Sequence, residues 1–234
     1  LNLRVKDGSV QGVNSFEDSF SIPSAYGTSK PVAITQWTPA GSSFLNIAYV
    51  IKSEHVSDVA NKGRVFIYNT GTQVTAEITD ATLPFLIDDK YPPQLFVFNG
   101  LLICNPGTGM PTYITADATT NGNLAVLPGW LNMAGTQYAR VLRPFKNRLM
   151  AMSFFDDKGT ASLSDDEAYP VDLAWSSHIT ALDSLSGVTW QATTTNTAGD
   201  AYLTQTSGRI LDGGQLGEFF IAYKTDAVVR VYET

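Results

Sequence analysis

The sequence predicts an all-β protein assembled from antiparallel hairpins. Aromatic or apolar runs are repeatedly separated by short polar turns, and 19 glycines, 11 prolines and many Ser, Thr and Asn residues punctuate the chain. No segment of a dozen residues keeps apolar side chains at the 3.6-residue spacing of an amphipathic helix. In chain order, Phe44 to Ile51 and Arg64 to Tyr68 read as two strands joined by a longer loop. Gln94 to Cys104 reads as a tight hairpin turning at Asn99-Gly100, because both residues accept the positive φ of a type I′ turn. Tyr138 to Phe154 reads as a second, turning near Lys146-Asn147, and Gly217 to Tyr232 as a third, turning at Lys224-Thr225-Asp226. Ser53 to Lys62 and Ile179 to Leu185 are each expected to form at most a short helical turn.

The turns at Asn99 and Asn147 are 48 positions apart. Propeller blades of four strands recur at about 40–50 residues. The third turn comes at a longer interval, so only one spacing fits. The expectation is a β-propeller-like domain of antiparallel hairpins or blades covering 1–234. Leu1 is not a start methionine and Thr234 follows a strand-like run directly, so both ends read as trimmed from a longer protein.

Hydrophobic residues make up 44% of the chain and charged residues 16%, enough for a sizeable core and too apolar for disorder. The formal net charge is −7, the reverse of what a protein that grips phosphates carries. A single cysteine, Cys104, excludes an intrachain disulfide, and two histidines give no zinc-ligand spacing. No apolar run approaches the ~20 residues of a membrane span, and the first residues lack the charged start and apolar stretch of a signal peptide.

Motifs for chemistry are sparse. Lys52-Ser53 and Lys224-Thr225 lack the glycines of a phosphate-cradling loop, and Gly107-Thr108-Gly109 lacks the third glycine of a dinucleotide fingerprint. No G-x-S-x-G elbow is present. Asp156, Asp157, Asp165, Asp166 and Glu167 form an acidic loop whose carboxylates suit Ca²⁺, but Lys158 and Ala161 stand where an EF-hand needs a ligand and the turn glycine. The plainer reading is a solvated loop between strands. Gly187-Val188-Thr189-Trp190 resembles the end of a sialidase-type Asp-box, with Leu185 and Asp183 where the box needs Asp and Ser. Such a box marks a propeller hairpin and carries no catalysis. No catalytic, cofactor-binding or metal-binding residue is expected.

Arg140, Arg143, Lys146 and Arg148 are the one concentrated basic run, a candidate for contact with DNA or with a neighbouring subunit. Strand alternation puts Arg140 and Lys146 on one face with Leu142, and Arg143 on the other with Phe145. A single cationic stripe is therefore not expected, and ordinary salt links are the plainer reading. Trp37, Trp130, Trp175 and Trp190 read as core or blade-edge packing in preference to a sugar platform. Cys104 reads as a small buried apolar residue.

Three stretches resemble the family of tail nozzle, or tail hub, proteins of short-tailed bacteriophages, which includes packaged-DNA stabilisation and tail accessory proteins. The first is Asn2 to Val13, similar to an opening strand and turn with an Asn-x-Arg-x-x-Asp-Gly pattern. The second is Tyr138 to Ala151. The third begins at Tyr169-Pro170-Val171-Asp172-Leu173-Ala174-Trp175-Ser176 and passes Val188-Thr189-Trp190, Ala198-Gly199-Asp200-Ala201-Tyr202-Leu203, Gly208-Arg209-Ile210 and Leu216-Gly217 to Tyr223. The order of these motifs carries the likeness, while residues 14–90 match no family.

The resemblance implies a non-enzymatic virion protein of the phage tail, assembled in the host cytoplasm as a ring, commonly of six copies, beneath the portal and adaptor. It implies closure of the tail channel and conduction of double-stranded DNA without sequence recognition, with no cofactor and no membrane insertion. An acidic or neutral lumen would let the backbone slide, which suits a net charge of −7 per subunit. Two other functions fit a propeller: a carbohydrate-binding or sialidase-like tail protein, and a generic interaction scaffold.

Overall fold

The chain is all-β. A computed structural model describes residues 3–6, 9–12, 22–83, 85–114, 124–130, 137–158 and 166–232. Within them lie one two-stranded ribbon, three four-stranded sheets and one three-stranded sheet, all antiparallel and none closed on itself. The ribbon pairs β1 (Leu3–Lys6) with β2 (Ser9–Gly12), placing Val5 opposite Val10. Asn2, Asp7, Gly8 and Val13 of that opening stretch lie outside the described residues.

The first sheet is a meander of β3 (Lys30–Trp37), β4 (Asn46–Lys52), β5 (Gly63–Asn69) and β6 (Val74–Glu77). The second runs β7 (Gln94–Phe98), β8 (Leu101–Asn105), β9 (Thr112–Ile114) and β10 (Ala125–Val126). The third runs β11 (Gln137–Phe145), β12 (Arg148–Asp156), β13 (Glu167–Trp175) and β14 (Gly199–Tyr202). The fourth runs β15 (Ile210–Leu216), β16 (Phe219–Lys224) and β17 (Val228–Val231). In every sheet the spatial order of strands is their order in the chain.

The sheets stack through shared cores. Trp37, Val50, Val65 and Ile67 of the first sheet pack with Leu102, Cys104 and Ile114 of the second. Leu101 and Ile103, on the other face of β8, pack with Leu142, Leu149, Ala151 and Ala174 of the third. Val141, Phe145, Met150 and Met152 then pack with Ile210, Phe220 and Ala222 of the fourth. A strand buried on both faces reads as a continuous apolar run, which is why Leu101 to Cys104 shows no alternation. The far face of the first sheet carries Tyr49, Ile51 and Phe66, over which Ile22 and Tyr26 pack from the short 3-10 helix region around Ser24–Tyr26.

The first strand of each sheet lies beside the first strand of a neighbour, β3 against β7 and β11 against both β7 and β15. Directed hydrogen bonds reinforce these contacts. Trp37 Nε1 donates to Gly100 O at 2.7 Å, the Leu142 amide donates to Gln94 Oε1 at 2.9 Å, and Asn105 Nδ2 donates to Ala139 O at 3.1 Å.

All three tight hairpins form where expected. Asn99 and Gly100 take φ of 51° and 78° between the paired Phe98 and Leu101. Lys146 takes φ of 50° between the paired Phe145 and Arg148, and the Lys224 amide donates to Ala227 O across the third turn. β4 and β5 pair across the longer loop. Ser53 to Lys62 and Ile179 to Leu185 carry turns and bends, with no helical element in either; in the first, Ser53 Oγ and Arg64 Nε donate to the Asp58 carboxylate. Gly100→Ala is expected to cost about 1–2 kcal/mol, because alanine is strained at positive φ and its Cβ would meet the Asp183 carboxylate. A urea midpoint unchanged from wild type would refute this.

Candidate functional site

The first strands of the four sheets converge on a groove of about 390 Å³, lined among others by Ile34, Tyr91, Gln94, Arg140, Arg143 and Asp212. Tyr91 lines it beside Lys90 and Arg140. The Asp88–Tyr91 bridge and the Tyr91 amide bond to Asp88 O (3.0 Å) fix the backbone there, while the Lys90 amide bonds Asp88 Oδ1 at 2.9 Å. Three cations surround the Tyr91 ring: the Arg140 guanidinium at 4.2 Å from its centroid, Lys90 Nζ at 5.3 Å and the Arg209 guanidinium at 6.0 Å. Arg209 also donates to the Tyr91 hydroxyl at 3.2 Å.

Arg140 extends from β11 toward the second sheet, the side that Leu142 also takes. Its guanidinium lies 4.6 Å from the Phe155 ring and 5.2 Å from Tyr138, and donates to Gly107 O at 2.8 Å. Aromatic faces here stand in for a counter-ion. Among the described residues no carboxylate lies within ion-pair reach of Lys90, Arg140 or Arg209. Burial pushes the Tyr138 phenol up to about 12; Arg140 opposes the shift, and Asp157, Asp166 and Asp88 add to it.

The other members of the basic run go elsewhere. Arg143 points to the fourth sheet and makes a two-pronged pair with Asp212, at 2.8 and 3.1 Å. Lys146 sits in the turn and reaches Glu218 at 3.4 Å on the fourth-sheet side. It therefore does not share a face with Arg140, because its positive φ takes it out of strand alternation. Arg148, 8% exposed, lies against His178 Nε2 and donates to Thr197 O. Arg140 and Arg143 alone of the four line the groove. Sequence reading missed Lys90, Tyr91 and Arg209; Arg209 and Tyr91 are 118 positions apart and meet only through the stacking of sheets.

In the acidic loop, Lys158 takes the central position. Its Nζ lies 2.8 Å from both Asp156 Oδ2 and Glu167 Oε2, and its amide bonds Asp156 Oδ1. Asp165 lies outside the described residues. Among those described, no group of three or more His, Cys, Asp or Glu side chains is placed to hold a metal. Cys104 is fully buried, and burial pushes its thiol up to about 12, so it has no thiolate at neutral pH. Trp37, Trp130 and Trp190 are buried in cores, while Trp175 is half-buried and packs at the edge of the third core. No helix among the described residues is long and apolar enough to cross a membrane.

Compared with known proteins, the chain matches no family model and no curated relative.

Proposed function

We propose that this chain is a subunit of a ring-shaped phage tail nozzle, a structural part of the virion that closes the tail channel and conducts DNA during ejection without catalysing a reaction. In this reading the four stacked sheets are successive blades of a propeller-like body. The observation that carries it is where the family-like stretches fall. Tyr138 to Ala151 covers β11 and the start of β12, and the stretch from Tyr169 to Tyr223 covers β13 to β16, so the likeness occupies two adjacent sheets and the core between them. Four-strand meanders in chain order, with first strands side by side, support the propeller.

Charge supports conduction over gripping. Arg143 is neutralised by Asp212 and Lys146 by Glu218, Arg148 is buried, and the chain as a whole carries −7. Lys90, Arg140 and Arg209, which have no carboxylate in ion-pair reach among the described residues, are gathered on the Tyr91 ring, and in this reading the net negative charge keeps the duplex from sticking. Partners in this reading are further copies of the chain, the portal–adaptor assembly above, and duplex DNA in transit.

Electron cryomicroscopy of the virion tests the reading. The expected result is this chain in a ring at the tail tip, with purified full-length protein binding a 30-bp duplex no tighter than ~100 μM at 0.15 M salt. Density for the chain elsewhere in the particle, or micromolar DNA binding, would overturn it.

A further inference from the structure

In a chain with 22 acidic against 15 basic side chains, carboxylates are in excess. Lys52, Lys62, Arg64, Arg143, Lys146 and Lys158 each lie beside one. Among the described residues Lys90, Arg140 and Arg209 have none within ion-pair reach, and these three gather round one ring, that of Tyr91. Lys90 and Arg140 line the groove where the first strands converge, and Arg209 adds its charge at the Tyr91 hydroxyl. The acids next to Lys90 are engaged elsewhere: Asp88 accepts from the Lys90 amide, and Asp89 pairs with Lys52. The one carboxylate among the described lining residues, Asp212, is held by Arg143. The groove therefore presents positive charge that the fold itself does not neutralise.

The second observation is independent of charge. Val32 and Ile34 of β3 and Leu211 of β15 line the same groove and are 38%, 57% and 47% exposed. They come from the first and the fourth sheet and meet only at this groove. Single exposed aliphatic side chains are ordinary, but three that line one groove beside unneutralised cations form an interaction surface. Arg140 is also held ready. It is part-exposed, its guanidinium lies by the Tyr91, Tyr138 and Phe155 rings, and one of its N–H groups is tied to Gly107 O. A cation fixed in this way loses little freedom when a partner arrives.

We infer that this groove docks an acidic peptide segment of a partner protein, with carboxylates on Lys90 and Arg140 and apolar side chains over Val32, Ile34 and Leu211. The carboxylates accept charge-assisted hydrogen bonds from the ammonium and the guanidinium. The aliphatic contacts supply the apolar area that a lone ion pair at a surface lacks. A nucleic-acid backbone matches the cations and not the rest. Its phosphates would lie against exposed aliphatic groups, and its dense charge would work against the −7 of the whole chain. A short peptide brings few charges, and its apolar side chains cover what the phosphates leave bare. The groove would take such a segment whether or not the chain is part of a tail.

The test is calorimetric titration of the full chain, at about 0.15 M salt, with an octapeptide alternating glutamate and leucine. Its lysine–leucine and serine–leucine counterparts, octaglutamate and a duplex of about 30 bp are the comparison probes. The glutamate–leucine peptide is expected to bind with Kd of about 100 μM or tighter, and the other four at least about tenfold more weakly. Lys90→Glu, at an exposed side chain, is expected to weaken its binding about tenfold, and Ile34→Ser about threefold. Arg140→Gln is expected to weaken it about tenfold where its circular dichroism spectrum is unchanged; the two surface variants decide the matter if it does not fold. No binding of the glutamate–leucine peptide at about 1 mM would overturn the inference. So would wild-type affinity in Lys90→Glu and Ile34→Ser, or equal binding of the serine–leucine peptide, of octaglutamate or of the duplex. Self-association in sedimentation velocity that Lys90→Glu abolishes would overturn it too, since the occupant would then be a second copy of the chain.

Discussion

Replacing Trp130 with alanine is expected to destabilise the protein by about 3–5 kcal/mol, the range for emptying a fully buried aromatic site. Trp130 is 1% exposed and sits in the core that joins the second sheet to the third. Its ring stacks on Phe154 at 6.2 Å and meets Trp190 edge-on, so truncation leaves two aromatic neighbours without a packing surface. It also strips Gln137 O of the indole donor it receives at 2.9 Å. Trp130→Phe separates these effects, since it keeps most of the apolar contact and loses the hydrogen bond; a loss of about 1–2 kcal/mol is expected. Val56→Ala, at a side chain 97% exposed, should change stability by no more than ~0.5 kcal/mol. Urea unfolding followed by circular dichroism reads all three. If Trp130→Ala unfolds within 1 kcal/mol of wild type, the stacked-sheet core described here does not hold the molecule together.

The parts of this fold that were legible in the sequence are those set by local chemistry. Asn99-Gly100 declared its turn because the two residues accept left-handed φ, and the unbroken Leu101-Leu102-Ile103-Cys104 run declared a strand buried on both sides. What stayed hidden depends on distance along the chain. β13 and β14 pair across a stretch from Trp175 to Gly199 that carries turns and bends, and no local pattern shows that Trp175 returns to face Gly199. Gly199 is required there because an added Cβ would fall 2.4 Å from the Trp175 ring. In β12, Ser153 takes φ of 55° at a bulge between Met152 and Phe154, shifting the register against β13. Serine gives no sign of that.

The candidate sites follow the same rule. The run of four cations, already expected to split between strand faces, parts toward the second sheet, the fourth sheet, a turn and a contact with the exposed His178. The cations that do converge, Lys90, Arg140 and Arg209, come from three distant stretches, and what unites them is a tyrosine. Asp172 and Asp200 likewise come together only through strand pairing, as no spacing rule connects two carboxylates on strands joined by so long an excursion.

Asp58→Asn is expected to cost about 2–3 kcal/mol at pH 7, and the cost should vanish in acid. The Asp58 carboxylate is 3% exposed and takes a two-pronged bond from Arg64, with Nη2 at 2.6 Å from Oδ1 and Nε at 2.7 Å from Oδ2. Ser53 Oγ also donates to it and Lys62 Nζ lies 3.4 Å away. The Arg64 bonds hold the carboxyl well below the usual carboxylate range, against the opposing effect of burial, with Ser53 and Lys62 adding to the fall. Asparagine keeps the shape and loses the charge. Arg64 retains Glu77 at 2.6 Å and the Tyr26 ring at 5.0 Å, so the loss is less than the roughly 3–5 kcal/mol of a fully orphaned buried ion. The folded pKa lies below the unfolded value of ~3.9, so the folded chain gives up its proton more readily. The stabilisation is therefore complete above about pH 5 and drains away as pH falls through the unfolded and then the folded value. Urea midpoints of the two proteins should differ by the full amount at pH 7 and pH 5 and begin to converge near pH 3. A difference that stays constant with pH would mean that the loop from Ser53 to Lys62 is held by its shape and not by the charge of Asp58.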